Sequence, residues 1–317
     1  LVNSIPKEVT ILDEANLTFL PKSIKNPVEV ENERIAHIKD GVALTKFICW
    51  LKKNVGKITM TELSAGEKLY SFRAQQENFI DNSFDPIISY GIHAAINHYS
   101  ATPETDIAIE PGNFLLADTG GHYYEGTTDT TRTIVMGSVN DEQKKYFTAV
   151  LRGMLNLGNA KFRYGCTGVN LDYLARGPLW EMGQDFNHGT GHGVGYLLNV
   201  HEGPNSFRWR IIQGDNAVLE EGMITSDEPG YYVENQYGIR HENLLVCKKA
   251  EKTTFGQFMC FEHLTMVPFD LDAVVPELMT VQERALLNNY HAQVYKKISP
   301  YLEEEEKEWL KEATREI

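Results

Sequence analysis

The chain runs through the same order of elements twice: two helices and then a hairpin, followed by two helices and a hairpin again. In the first pass, Ile35, Ile38, Val42, Ala43, Leu44 and Phe47 recur at helical spacing over residues 28–54. The tetrapeptide TMTE at 59–62 reads as a capping box, opening a second helix that runs to residue 79. Strand-like runs follow at 86–91, 113–120 and 130–137. In the second pass, helical patterns occupy 140–162 and 170–183, and strand signals return at 223–229 and 238–248. This order points to an α+β fold of two pseudo-symmetric halves that face each other. The halves share no evident sequence identity, so the expectation rests on element order alone.

Past residue 250 the texture changes. Residues 255–270 suggest strands and 280–317 two further helices. The acidic run at 303–306 reads as a solvated helix start, where negative charge suits the helix dipole.

Charge and cysteines exclude several classes. Lys and Arg number 30 against 44 Asp and Glu, a net charge of −14, which argues against a basic nucleic-acid footprint. No apolar run reaches the length of a membrane span, and no basic-then-apolar signal segment opens the 317 residues. Cys49, Cys166, Cys247 and Cys260 are scattered without a CxxC pair, so neither a thiolate zinc site nor a disulfide framework is indicated. Reduced thiols in a cytoplasm are the simplest reading.

The stretch HGTGHGVGYLLNVHEGP, residues 188–204, holds three of the ten histidines. Taken as a strand, it points His188, Thr190, His192 and Val194 to one face and four glycines to the other. Alternating glycines make a costly strand, and make sense where a backbone or ligand lies against them. Histidines beside a flexible loop are the plainer alternative.

Carboxylates tip the balance. In LLADTGGHYYEGTTDTTRT, Asp118 and Asp129 stand at opposite ends of a Gly- and Thr-rich turn, and Asp118 follows the apolar run 114–117. A carboxylate at the end of a buried strand is expensive unless paired or bound to a cation. Glu228, ending MITSDEP, and Glu242, inside GIRHENLLVC, should flank a second hairpin. Any one of these acids alone reads as a surface acid beside a turn. Together with an imidazole they form an oxygen-rich, sulfur-free set suited to a hard or borderline divalent cation such as Mn²⁺. Four carboxylates exceed the needs of one ion, and two bridged ions use them better.

These residues resemble the pita-bread metallopeptidases, the family of methionine aminopeptidase, prolidase and aminopeptidase P. The likeness covers residues 28–250. HGTGHGVGYLLNVHEGP, SDEPGYY and GIRHEN look most like its aminopeptidase P branch, and 251–317 looks like the C-terminal extension of that branch's three-domain cytosolic form. The resemblance implies a pita-bread fold, with αα-hairpin halves around a curved antiparallel sheet. It implies three regions: 1–26 as the tail of a preceding domain and linker, 27–250 as the catalytic domain, and 251–317 packed on it. By position it implies that Asp118 chelates one ion, that Asp129 and Glu242 bridge the pair, and that His192 and Glu228 complete the other shell. His98, His188 and His201 match substrate-handling histidines, with Glu228 also as proton acceptor. Arg240 matches an arginine beside the bridging glutamate, while a surface strand arginine is an equal alternative.

The implied activity is hydrolysis of an N-terminal Xaa-Pro bond by water activated between two divalent ions, Mn²⁺ before Co²⁺, Fe²⁺ or Zn²⁺. The substrates would be peptides with proline second, with no nucleic acid and no membrane as partner. A prolidase-type dipeptidase and a catalytically inactive binding module are the alternatives. A homodimer could use Trp309 and its apolar neighbours, or these residues could only pack on their own domain.

Overall fold

The computed structural model describes residues 2–12 and 16–317; residues 1 and 13–15 of the expected N-terminal tail lie outside the described residues. What is described of that tail holds no strand, only a short 3-10 turn and a helix at Phe19–Ser23. Helix α1 (Pro27–Asn54) begins where its free donors are satisfied. Asn26 accepts from Val28 N and Glu29 N, and the Glu29 carboxylate accepts from Asn26 N in return.

Helix α2 (Glu62–Arg73) is capped by Thr61 with Ser64, not by Thr59 with Glu62. Glu62 instead turns inward to accept from Tyr90 N and to meet His93. The helix stops at Arg73, short of residue 79. Asn78 then takes left-handed backbone at φ 63°, and Phe79–Asn82 leaves as a strand paired with Gly121–Tyr123.

Strands β1 (Ile87–Tyr90), β2 (Asn113–Thr119) and β3 (Thr130–Met136) form an antiparallel sheet in that order. Helix α3 (Asp141–Gly158) starts at its Asn140 cap as expected but ends before residue 162, because β4 (Lys161–Arg163) is drawn into a sheet. The helix expected at 170–183 is broken. A turn at Gly168–Leu171 precedes α4 (Tyr173–Trp180), and between them Asp172 binds Arg176 and Thr190.

The second half continues with β5 (Ile224–Asp227), the hairpin β6 (Gly230–Val233) and β7 (Tyr237–Arg240), then β8 (Asn243–Thr253) and β9 (Gly256–His263). A four-stranded antiparallel sheet runs β5-β8-β9-β4. The strand expected over 238–248 is interrupted at His241-Glu242, where the Glu242 N–H donates to Thr131 O of β3 in the other half. Helices α5 (Val281–Ile298) and α6 (Glu304–Ala313) close the chain.

The two halves share a plan that places the site. In the first, β2 and β3 pair with Asp118 opposite Thr131, and a small hairpin (Gly121–Tyr123 with Gly126–Thr127) lies between them. In the second, β5 and β8 pair with Asp227 opposite Asn243, and the β6–β7 hairpin lies between. Each half therefore presents its acids where an outer strand pair hands over to an inner hairpin. The main core joins the halves to the C-terminal helices: Val42, Phe114, Phe147, Ile239, Phe269 and Leu287 pack in one buried cluster. Arg132, fully buried, is the polar rivet. It donates to the backbone oxygens of Glu242, Val267 and Pro268 and to the side chains of Asn243 and Tyr290.

Candidate metal centre

All nine residues singled out in the sequence line one cavity of about 640 Å³: His98, Asp118, Asp129, His188, His192, His201, Glu228, Arg240 and Glu242. One oxygen each of Asp129 and Glu242 and one nitrogen of His192 lie within 4.8 Å of one another. His192 Nε2 stands 3.4 Å from both Asp129 Oδ2 and Glu228 Oε1. Asp118 points instead to Arg240, its Oδ2 2.5 Å from Nη2.

The local architecture aims these groups. The His192 Nδ1–H donates to Gly193 O at 2.9 Å, which turns Nε2 toward the carboxylates. The backbone N–H of His192 donates to Ser226 Oγ, whose hydroxyl donates to Glu228 Oε1. Thr131 Oγ1 donates to Glu242 Oε2 at 2.8 Å, leaving Oε1 directed elsewhere.

Electrostatics show what is lacking among protein groups. Burial pushes Glu242 well above the usual carboxylate range, and the nearby charges of Asp129 and Glu228 push it further. Burial raises Asp129 as well, against the pull of its His192 hydrogen bond. Glu228 is raised to about 7, again by burial first. Burial opposes charge on His192, yet Asp129 and Glu228 outweigh it and lift the imidazole to about 9. Of the four candidate ligand carboxylates, Asp129 and Glu228 meet His192 and Asp118 meets Arg240. Oxygen donors in excess, one nitrogen donor and no thiolate fit divalent cations, which would supply the missing positive charge.

Histidines His188 and His201 differ in engagement. The His188 Nδ1–H donates to Gly189 O at 2.7 Å, and Nε2 accepts from Tyr232 OH at 2.9 Å. Burial lowers its pKa to about 3, so it is neutral at pH 7. His201 packs edge-on against His192, ring centroids 4.1 Å apart, and among the described residues no group hydrogen-bonds its ring. Burial, then the neighbouring His192 and His98, lower it to about 4. His98 sits on left-handed backbone at φ 59° on the cavity wall.

The His-Gly stretch is not a strand over its length. Gly191–His192 pairs with Ser206–Phe207, and Gly193 makes a single bridge to Thr225. The glycine requirement is nevertheless real: a Cβ at Gly191 would strike the Ser226 carbonyl, and one at Gly193 the Glu202 carbonyl. Backbone, not ligand, lies against that face.

The profile of metallopeptidase family M24 matches residues 31–249, the span that contains every one of these groups. The chain belongs to metallopeptidase family M24. The profile of the C-terminal region of this peptidase family matches residues 257–317. A probable Xaa-Pro aminopeptidase P from Paracoccidioides brasiliensis is 43% identical over 303 residues, which are 93% of this chain and 49% of that protein. The crystal structure of an X-prolyl aminopeptidase from Caenorhabditis elegans, described as a cytosolic enzyme with a di-nuclear active site, superposes with a TM-score of 0.90. It is 37% identical, over 95% of this chain and 50% of that one. Prolidase from Pyrococcus furiosus superposes with a TM-score of 0.62 at 28% identity, over 78% of this chain and 67% of its own. The chain spans about half the length of the curated relatives it matches.

Two members of this M24 site escaped the sequence reading. Tyr232 OH accepts from Arg240 Nη1 at 2.8 Å and links Arg240 to His188. Its signal was present in register: Tyr232 lies on the strand facing Arg240, two residues from the Gly230 that pairs with it. Asp172, with Arg176, holds Thr190 and the His188 carbonyl from the break before α4. Reading 170–183 as one continuous helix hid it.

Proposed function

We propose that this chain is the catalytic part of a metal-dependent aminopeptidase that hydrolyses the N-terminal peptide bond of Xaa-Pro peptides. The observation that carries the reading is the convergence of Asp129, His192 and Glu242, with two further carboxylates, in one cavity that also presents His98, His188 and His201. The likeness to Xaa-Pro aminopeptidases over nearly the whole chain supports the choice of substrate class.

Asp118, Asp129, His192, Glu228 and Glu242 would hold two divalent ions, with Asp129 and Glu242 shared between them and Mn²⁺ favoured by the donor set. The ions would supply activation of a water near neutral pH and polarisation of the scissile carbonyl. Glu228, whose Oε1 lies 3.4 Å from His192 Nε2, would take the water's proton on a carboxylate oxygen. His201, neutral and with no hydrogen-bond partner to its ring among the described residues, would donate its ring N–H to the developing oxyanion. His188 has both ring nitrogens engaged, so its part is to hold Tyr232 and, through it, Arg240 against Asp118. His98, also on the cavity wall, would contact the peptide.

Residues 27–250 would form the catalytic domain and 251–317 its packed extension, with 1–26 the tail of what precedes. A cytoplasmic site of action fits the cytosolic relative and the lack, among the described residues, of a helix long and apolar enough to cross a membrane. Self-association through the C-terminal region is proposed as the assembly state, to be read by light scattering. The test of function is a panel of Mn²⁺-loaded assays on an Xaa-Pro-Yaa tripeptide, an Xaa-Pro dipeptide and a Met-Ala peptide. Turnover of the tripeptide above the other two supports the reading. Preference for the dipeptide would make the chain a prolidase.

A further inference from the structure

We infer that Lys25 is a positioning residue that fixes the loop carrying His201. Its consequence for turnover rests on the function proposed above; its mechanical role rests on geometry alone. The loop leaves the paired segment at His192 and returns at Asn205. Within it Leu197, Leu198 and Asn199 stand in succession on left-handed backbone, at φ 47°, 72° and 55°. Such backbone is disfavoured for any residue with a Cβ, and leucine has no side-chain hydrogen bond to offset it. A run of this kind persists only where its surroundings hold it.

Two bonds inside the loop contribute, Gly195 N to Asn199 O and Glu202 N to Gly193 O. Asn199 Nδ2 reaches Glu202 Oε2 at 3.4 Å, Val194 N donates to Ile224 O, and Asn32 Nδ2 donates to Tyr196 OH. A further anchor, which joins the two ends of the loop, comes from a distant part of the chain. The Lys25 side chain is 1% exposed. Its Nζ donates to Val194 O at 2.5 Å and to Ser23 O at 3.3 Å, and stands 3.6 Å from Glu202 Oε1. One ammonium therefore ties the start of the loop to its end. Lys22 Nζ meets the other oxygen of Glu202 at 2.5 Å, but from a half-exposed position.

Lys25 is itself well rooted. Its N–H donates to Gly222 O, Ile24 bridges Met223 at the edge of β5, and the Asn26 cap of α1 follows directly. Glu202 adjoins His201 in the chain, and the His201 ring rests on His192. Displacing Glu202 therefore moves His201, an imidazole whose ring has no hydrogen-bond partner among the described residues. Without Lys25, the Glu202 carboxylate, 6% exposed, keeps the half-exposed Lys22 and a long 3.4 Å bond from Asn199 Nδ2, and Val194 O loses its donor. Lys25 lies upstream of the 31–249 span that the family profile covers.

The test compares Lys25→Met and Lys25→Arg with the unaltered protein, all loaded with Mn²⁺. Amide hydrogen exchange should accelerate about tenfold or more across 194–204 in Lys25→Met, while the 113–136 strands keep their protection and metal stoichiometry is unchanged. On an Xaa-Pro-Yaa tripeptide, kcat should fall on the order of 10- to 100-fold with KM little changed, and Lys25→Arg should recover most of it. Should Lys25→Met not fold, Glu202→Gln removes the ion pair at constant size while the Val194 bond stays, and must accelerate exchange in 194–204 by a smaller factor. Unchanged exchange in 194–204, or acceleration spread evenly over the protein, overturns the inference. If the unaltered protein cleaves no Xaa-Pro peptide, the proposed function fails while the exchange pattern still decides the role of Lys25.

Discussion

The cavity has two sides built in different ways. On one, four carboxylates stand at the handover points of regular antiparallel strands, with register fixed by the pairs Asp118–Thr131 and Asp227–Asn243 and backed by the buried Arg132. On the other, His188 and His201 ride on irregular backbone paired over two residues and one further bridge. Mutually repelling charges need a stiff frame, because any slack would let them swing apart toward water. The histidine side is held by single contacts, from Asp172 and Arg176 at the preceding helix and from Tyr232 and Lys25 farther away in sequence. The contrast is that the acids should govern metal and the loop histidines should govern rate.

The contrast breaks first if the acids can be lost without losing metal. Asp129→Ala and Glu242→Ala should each lower metal affinity and turnover by more than about 100-fold, beyond the effect of groups that merely support a ligand. Calorimetric titration with Mn²⁺ and tripeptide assays would read both, and full activity in either variant would remove the metal assignment. His192→Ala belongs with the acids in this test and should lose at least one ion.

Next in size come the loop histidines. His201→Ala should keep its metal and lose about 10²- to 10⁴-fold in kcat, the range for a positioned proton donor. His188→Ala should also keep its metal, with a smaller loss matched by Tyr232→Phe, since both cut the same chain to Arg240. Metal content falling equally in His188, His192 and His201 variants would erase the distinction between the two sides.

The smallest effect concerns the frame behind the acids. His263 bonds Asn243 at 3.1 Å, and His291 Nε2 accepts from Phe269 N at 3.1 Å. Burial, with Arg132 beside them, lowers these histidines to about 4 and about 3. Their folded pKa values lie below the unfolded value near 6.5, so as pH falls through 6.5 the unfolded chain takes up protons that the native chain refuses. Stability should be fully present above pH 7 and fall from about 6.5 down to about 4 for His263 and about 3 for His291, by at most about 1.4 kcal/mol per pH unit for each histidine. Denaturant melts of His291→Gln against the unaltered protein over that range should show a shallower slope for the variant. Identical slopes would mean His291 does not contribute.

The sequence was legible where periodicity and pairing decide the structure. The repeated order of helices and hairpins, the Asn140 cap and the strand ending in Asp118 follow from local patterns. What was not legible followed from partners distant in the chain. The strand at 238–248 is cut at Glu242 because its N–H bonds Thr131, more than a hundred residues earlier. The cap at Thr61 displaced Thr59 because Glu62 is needed by Tyr90 and His93. The His-Gly stretch alternates like a strand, yet its glycines answer to the carbonyls of Ser226 and Glu202, which no local pattern announces. Lys25 reads as an ordinary lysine ahead of a helix cap, and only the fold buries it.

The most direct measurement joins metal to chemistry in one sample. The protein is stripped with chelator, reloaded with graded Mn²⁺, and assayed at each step for bound metal and for release of the N-terminal residue from an Xaa-Pro-Yaa tripeptide. Binding should saturate at about two ions per chain, as a shared-carboxylate pair requires, with activity rising alongside. Saturation at two ions with no cleavage would contradict the proposed activity, and full activity in the stripped protein would contradict the metal centre itself.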